Sequence, residues 1–453
     1  MPASTLADAI STYHGLLTDD LAEESQAHLD EQQRRLGLYF GDRALCSVLR
    51  PRFLTPEQYR FLAGRVRLLM RSFDKAYRAA LTEPAIRAQF GLAEWEEALI
   101  AHDPGFRDPS PTSRLDAFFL GGQEGLRFTE YNAEVPAAPA YNDVLTDAFF
   151  NLPIMRAFQR QYQVRPLPAR HAVLGVLLDA YRQWIGRREA PRLAILDWRE
   201  VPTYSEFVLF ANYFRTHGLE CAIVDPREVE YRGGKLVVGD YHITLLYKRV
   251  LINELVAQQG IDGPVVRAVR DGAVCMVNPF RCKLLHKKAS LAVLSDERNA
   301  HLFSDEECAV IAAHVPWTRL VEDRYTLYQG ERVDLLSLIA AGRERFVIKA
   351  NDEYGGKGIV LGWETSAEEW ERAIRVALAE PCVVQERLEM SSEPYPGMTH
   401  GRVQITDRQL DTSPFIFYGD YIEGCLTRLS TEALLNVTAG GGSAVPTMLV
   451  EPR

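Results

Sequence analysis

FVIKANDEYGGKGIVLG, residues 346–362, combines an apolar strand that delivers Lys349, a polar loop, and the start of a second strand. In the loop, Gly355, Gly356 and Gly358 surround Lys357. Glycines let backbone N–H groups approach phosphate oxygens, and two lysines add charge where a nucleoside triphosphate is most negative. A plain glycine hairpin with solvated lysines fits the same residues. The run lacks G-x-x-x-x-G-K-[ST], so it is not a P-loop.

Downstream, CVVQERLE (382–389) reads as a buried strand ending in Gln385-Glu386. The Gln385 carbonyl suits an adenine amino group, and the backbone from Glu386 to Leu388 suits the ring edge; an ordinary strand end is the alternative. A helix is expected over 366–379, and SPFIFYGDYIEG adds further strand. LTRLSTEALLNVTAGGGSAVPTMLV (426–450) places Arg428 ahead of Asn436 and Gly440-Gly441-Gly442, a turn that can hold an anion through its amides or simply be a loop.

Upstream, RLDAFFLGGQEGLRFTEYNAEVP (114–136) reads as two strands around a Gly-Gly-Gln-Glu-Gly turn. Strand side chains alternate, so Glu130 and Asn132 share a face, and Asp116 can lie opposite them across the hairpin. Three oxygen ligands on adjacent strands suit magnesium ions that also bind triphosphate oxygens. Arg114 shares that face and could reach a transferring phosphoryl group. The competing reading is a solvent-facing charged ladder. A magnesium pair nearer the C-terminus, Glu432 with Asn436, fits less well: four residues apart on a strand they are separated by about 13 Å.

Between these segments, RLAILDW (192–198), a helix over 205–217, Gly218 and CAIVD form a strand–helix–strand unit of a small parallel sheet, without the G-x-G-x-x-G of a dinucleotide site. NPFRCKLLHKKASLAVLSDE (278–297) reads as a helical stretch. Residues from about 5 to 100 read as helices, with Thr55-Pro56-Glu57 as a helix start.

The 453 residues carry a formal net charge of −10, 47% apolar and 25% charged residues. That is the balance of a globular protein of two or three domains, and it argues against a nucleic-acid partner. Seven scattered cysteines form no C-x-x-C pair, and no apolar run is long enough for a bilayer. MPASTLADAISTYHGLLTDD lacks the basic and apolar segments of a secretory signal. A cytoplasmic protein is expected, with no membrane or nucleic-acid partner and with its oligomeric state open. No zinc-ligand spacing or G-x-S-x-G elbow is present.

Together, the strand lysine, glycine loop, Gln-Glu hinge and Glu-x-Asn pair resemble the ATP-grasp superfamily. The metal pair precedes Lys349 by more than two hundred residues, and that order resembles the circularly permuted branch. This branch includes glutathionylspermidine synthase and eukaryotic-type glutathione synthetase. RLDAFF…FTEYNAEVP is similar to its Arg-x-Asp and Glu-x-Asn-Ala segments, although Glu134-Val135-Pro136 stands where the family often has Asp-Thr-Pro. The 278–297 stretch resembles its lysine-bearing helix, which makes Lys288, or alternatively Lys283, a nucleotide lysine. The glycine-rich end resembles the bacterial members.

The resemblance implies α/β and α+β architecture with a permuted ATP-grasp fold. Residues 1–110 would be a helical N-terminal region and 111–165 the permuted part carrying the magnesium ligands. Residues 166–280 would be the parallel-sheet substrate domain before the ATP-grasp part, and 281–453 the nucleotide domain. It further implies ATP, two Mg²⁺ ions held by Asp116, Glu130 and Asn132, and Arg114 and Arg428 stabilising transferring charge. The reaction would join a small-molecule carboxylate (an amino acid or peptide) to an amine through an acyl phosphate. A small-molecule kinase and a non-catalytic nucleotide-binding scaffold are the alternatives.

Overall fold

In the computed structural model, residues 4–122, 125–353, 356–431 and 442–453 are described. The 114–136 segment forms two antiparallel strands, Thr112–Phe119 and Leu126–Asn132, in the expected hairpin. They do not stand alone. Thr112–Phe119 also pairs antiparallel with Ser413–Phe417, placing Arg114 opposite Phe415. The large sheet then runs on through Tyr421–Ser430, Arg402–Leu410 and Ser391–Thr399. Segments separated by about 300 residues thus share one hydrogen-bonded ladder.

The last strand, Ser443–Pro452, pairs with Tyr421–Ser430 and ties in two strands from the first half of the chain. Arg52–Leu54 runs parallel to it and Tyr162–Pro166 antiparallel. The N-terminal region is therefore not purely helical. Its helices Ser4–Leu16, Asp19–Leu36 and Pro56–Thr82 are as the pattern suggests, and the third starts in a Thr55–Gln58 capping box with Pro56 in the first turn. Three short strands lie between the second and third helices, Tyr39–Phe40, Arg43–Ala44 and Arg52–Leu54, each too short to carry readable alternation. Buried Arg50 and Arg52 both pair with Glu393, and Arg52 also donates to the Phe119 carbonyl at 3.0 Å. The first hundred residues are thereby bound to the large sheet.

A second sheet is wholly parallel, in the order Cys275–Val277, Leu245–Lys248, Arg192–Leu196, Glu220–Val224. The helix Tyr204–Thr216 joins the last two strands, matching the strand–helix–strand reading of 192–225. A third sheet is antiparallel: Thr318–Leu320, Cys382–Glu386, Phe346–Ala350, Ile359–Leu361, with the helix Ala367–Ala379 connecting it. Trp370 of that helix is buried against the sheet and donates to the Ile339 carbonyl.

The 278–297 stretch differs from the single helix expected. It is two short helices, Cys282–His286 and Ala289–Ser295, broken at Lys287. Asn351 holds the break: its carbonyl accepts from the Lys288 N–H and its side-chain oxygen from the Ala289 N–H. A contact from about 60 residues away decides the break, so periodicity does not reveal it. No helix among the described residues is long and apolar enough to cross a membrane, and none of their cysteines forms a disulfide.

Candidate functional site

In the hairpin register Arg114 faces Asn132 and Asp116 faces Glu130, so the four side chains singled out from the sequence lie on one patch. Arg114 donates from Nε to Asp116 Oδ1 at 2.7 Å and from its terminal nitrogen to Oδ2 at 3.2 Å. Arg428 joins from Tyr421–Ser430, donating to Asp116 Oδ2 at 2.7 Å and to Asp411 at 2.7 Å. Burial alone would push the Asp116 carboxyl up; the two guanidinium groups outweigh it and hold it well below the usual carboxylate range. Both Asp116 oxygens are thus taken by arginines, a departure from the open metal ligand expected. Asp411, which orients Arg428, was not singled out from the sequence.

Glu130 points the other way along the patch, toward lysines. Lys288 Nζ lies 3.0 Å from its carboxylate, because the break at Lys287 turns that side chain toward the hairpin. Lys349 arrives from the third sheet, its Nζ 3.5 Å from the Thr129 carbonyl. Burial pushes the Lys349 ammonium down to about 8, opposed by Glu130 and reinforced by Lys288. Glu130 itself is held below its ordinary value: burial raises it, but Lys288 and Lys349 together prevail over burial and Asp116. Two lysines and a carboxylate from three distant segments therefore meet at one point.

Lys283 has a different setting. It is buried beneath the site, with Asp352 at 2.6 Å, Glu134 at 3.4 Å and Glu96 at 3.5 Å. Lys287 shares Glu96 and Asp352 at 2.7 and 3.0 Å. Glu134 also accepts from Lys248 at 3.1 Å and from the Ile252 N–H at 2.6 Å. Glu134 is thus an anchor between the parallel sheet, the hairpin and the lysine-bearing stretch. Of the two lysines, only Lys288 faces Glu130.

At the expected hinge, the Gln385 side chain has partners within the chain. Gln385 is buried, and its side-chain carbonyl accepts from Lys349 Nζ at 2.7 Å while its amide donates to Thr318 at 3.0 Å. Residues on antiparallel neighbours two positions apart can reach one another, and this contact uses the oxygen expected to meet adenine. The Glu386 side chain accepts from Tyr328 at 2.9 Å, its N–H donates to the Trp317 carbonyl, and Leu388 is half-buried just beyond the strand.

In the glycine loop, Lys357 is exposed, and Gly356 and Gly358 have φ of +82° and +65°. A Cβ on Gly358 would sit 2.6 Å from the Ala350 Cβ. Gly358→Ala is therefore expected to destabilise the protein by about 1–2 kcal/mol from the left-handed backbone, plus the clash, read as a lower denaturant midpoint. Gly355 lies outside the described residues, as do Glu432, Asn436, Gly440 and Gly441.

A cavity of about 620 Å³ lies beside this patch. Arg114, Asp116, Glu130, Asn132 and Arg428 form one wall, and the carboxyl ends of two parallel-sheet strands form another, through Asp197 and Arg249. His286 also lines it; burial pushes its imidazole down to about 4, and Nδ1 has no hydrogen-bond partner among the described residues. Asn132 Nδ2 is likewise buried without a partner among the described residues. Buried polar groups are normally satisfied, so an unmatched N–H donor next to Glu130 fits a bound acceptor such as a phosphate oxygen. The donor set Glu130–Asn132 suits a hard cation, while Asp116 could join it only by releasing an arginine. Sequence reasoning missed Asp197 and Arg249, although a polar residue directly after a parallel strand was a usable signal.

No protein-family model matches the chain, and no curated protein matches it. Among solved structures it is similar to a glutathione synthetase-like effector from Globodera pallida in apo form: TM-score 0.56, 11% identity, over 95% of this chain and 97% of that one. A RimK-domain ATP-grasp protein from Sphaerobacter thermophilus aligns over 57% of this chain and 90% of that one, at 14% identity and TM-score 0.28. D-alanyl-alanine synthetase A from Vibrio cholerae O1 aligns over 50% and 68%, at 14% identity and TM-score 0.25. These last two overlaps are too loose to carry an argument. Over nearly its whole length, then, the chain has a fold like that of a glutathione synthetase-like protein.

Proposed function

We propose that the protein is an ATP-dependent carboxylate–amine ligase with a circularly permuted ATP-grasp fold, acting through an acyl phosphate. The observation that carries this reading is the meeting of Glu130 with Lys288 and Lys349, beside an Asp116 gripped by Arg114 and Arg428. The one ladder shared by residues 112–132 and 413–417 supports the permuted order.

Lys288 and Lys349 bind the nucleotide's phosphate oxygens, helped by the amides around Gly356–Gly358. The strand end at Glu386–Leu388 receives the adenine edge. Glu130 and Asn132 would hold magnesium, which when bound neutralises charge on the phosphates. Arg114 and Arg428 stabilise charge on the transferring phosphoryl group and on the tetrahedral intermediate, and Asp116 fixes their forks in place. A carboxylate oxygen in the 620 Å³ cavity takes the γ-phosphoryl group with loss of ADP; an amine then displaces phosphate to give an amide.

The test is ADP release across a panel of amino acids, short peptides and polyamines, with hydroxylamine as a trap. A hydroxamate is expected from the carboxylate substrate. Nucleotide turnover with a stable phosphorylated product and no hydroxamate would make the protein a kinase instead, and no turnover with any member would remove the ligase reading.

A pH dependence follows from Lys349. Its ammonium is charged below about pH 8, so nucleotide affinity should be flat there. Above that, binding must take up a proton, and affinity should fall by up to about tenfold per pH unit. Calorimetry with Mg-ATP from about pH 7 to 10 reads this out. Lys349→Met should bind more weakly and lose the slope; an unchanged slope in that variant would place its origin elsewhere.

A further inference from the structure

The parallel sheet has a crevice where its strand order reverses. From Arg192–Leu196 the chain moves outward to Glu220–Val224, then returns to the opposite side as Leu245–Lys248. Connections leaving the carboxyl ends of the two central strands therefore diverge, and a ligand fits between them. Asp197 directly follows the first strand and Arg249 the second, and both line the cavity that Arg114, Asp116 and Glu130 close on its other side.

Trp198 organises the acidic groups there. Its N–H donates to Asp197 Oδ1 at 2.8 Å, and its indole Nε1–H donates to Glu254 Oε2 at 3.2 Å. Glu254, from the helix Ile252–Gln259, lines the same cavity. A separate observation comes from Asn142 on the facing helix Pro139–Phe150. Both its N–H groups are used, by Asp143 at 3.1 Å and the Leu167 carbonyl at 3.0 Å. This fixes the amide orientation, and the remaining Oδ1 is buried without a partner among the described residues; Asn142 is only 5% exposed and lines the cavity. An unmatched buried acceptor calls for a donor. Asp197, Glu254 and the Asn142 carbonyl line the same cavity, and an unmatched acceptor with carboxylates in the same lining suits an N–H donor.

We propose that this end of the cavity is the subsite for the amine substrate, which enters as a primary ammonium ion held by Glu254 and Asn142 and gives up a proton to Asp197. The inference rests on the ligase reading. Asp197 is fitted for this role because it is 7% exposed and burial pushes its carboxyl up to about 7. The Trp198 hydrogen bond, Arg249 and Lys248 pull that value down, and Glu254 raises it. A carboxylate of that basicity takes a proton from an ammonium far better than an exposed one.

The step balances. Asp197 takes one proton from R–NH₃⁺, leaving R–NH₂. The nitrogen lone pair attacks the acyl carbon, the C–N bond forms, and the C–O bond to phosphate breaks. The second nitrogen proton leaves with the phosphate as HPO₄²⁻.

Ammonium chloride and hydroxylamine separate this role from the rest of the reaction. Ammonium needs a base to become a nucleophile, whereas hydroxylamine is largely neutral at pH 7 and does not. With the full-length enzyme, ATP and the carboxylate that supports ADP release, both primary amide and hydroxamate are expected. Asp197→Asn should lose the primary amide by about 10²–10⁴-fold and lose far less of the hydroxamate, which also reports that the variant is folded. Glu254→Gln should raise the ammonium KM more than it lowers kcat. Equal losses of both products in Asp197→Asn would overturn the proposal, as would no loss of either, or a wild-type enzyme that forms hydroxamate but no amide from ammonium. A wild type that forms no hydroxamate with any carboxylate would instead remove the ligase reading itself.

Discussion

On the proposed ligase reading, Glu130→Gln should lower turnover by at least about 100-fold, because metal stabilisation of developing charge contributes several kcal/mol, while the protein stays folded. Glutamine keeps the shape of the side chain and removes only its charge. That charge faces Lys288 at 3.0 Å, lies within the field of Lys349, and sits directly across from Asp116. Its loss leaves two lysines crowded together without their counter-charge and takes one anionic oxygen from the donor set shared with Asn132. Steady-state ADP release with a matched thermal melt is the measurement. The same change at Glu432, the competing C-terminal candidate, should keep most of the activity. If Glu130→Gln turned over near normally, the site assignment would fail. If the two variants behaved the other way round, the permuted architecture would fail with it.

Lys283→Met should unfold the protein more readily, by about 3–5 kcal/mol, since removing one partner from a buried ion-pair network leaves the others uncompensated. Lys283 is almost wholly enclosed, and Asp352, Glu134 and Glu96 all converge on it. Burial favours its neutral form, but those three carboxylates outweigh burial and raise its affinity for the proton. Lys288→Met should do the opposite: weaken Mg-ATP binding clearly and shift the denaturant midpoint little, because its partners are a partly exposed Glu130 and a backbone carbonyl. Urea melts and calorimetry on both variants read the contrast. A Lys283→Met protein with wild-type stability and lost nucleotide binding would exchange the two roles.

The sequence by itself determined what depends on near neighbours. Strand alternation put Glu130 and Asn132 on one face, the two strand runs 112–119 and 126–132 paired with each other, and Thr55-Pro56-Glu57 started the long helix. The strand–helix–strand texture of 192–224 gave a parallel pair, and the charged types at 114, 116, 130, 349 and 428 marked where chemistry could gather. These are short-range rules: i, i+2 on a strand and the first turn of a helix.

Tertiary structure alone decided the rest, because each remaining choice was made by a group far along the chain. Asn351 broke the 278–297 helix and so turned Lys288 toward Glu130, leaving Lys283 under the site. Lys349 claimed the Gln385 carbonyl, and Arg428 joined Arg114 on Asp116 from 312 residues away. Asp197 and Arg249 reached the cavity only when the parallel sheet was set against the large one. A buried charge takes whichever partner the packing brings to it, since leaving it unpaired costs more than any local preference supplies.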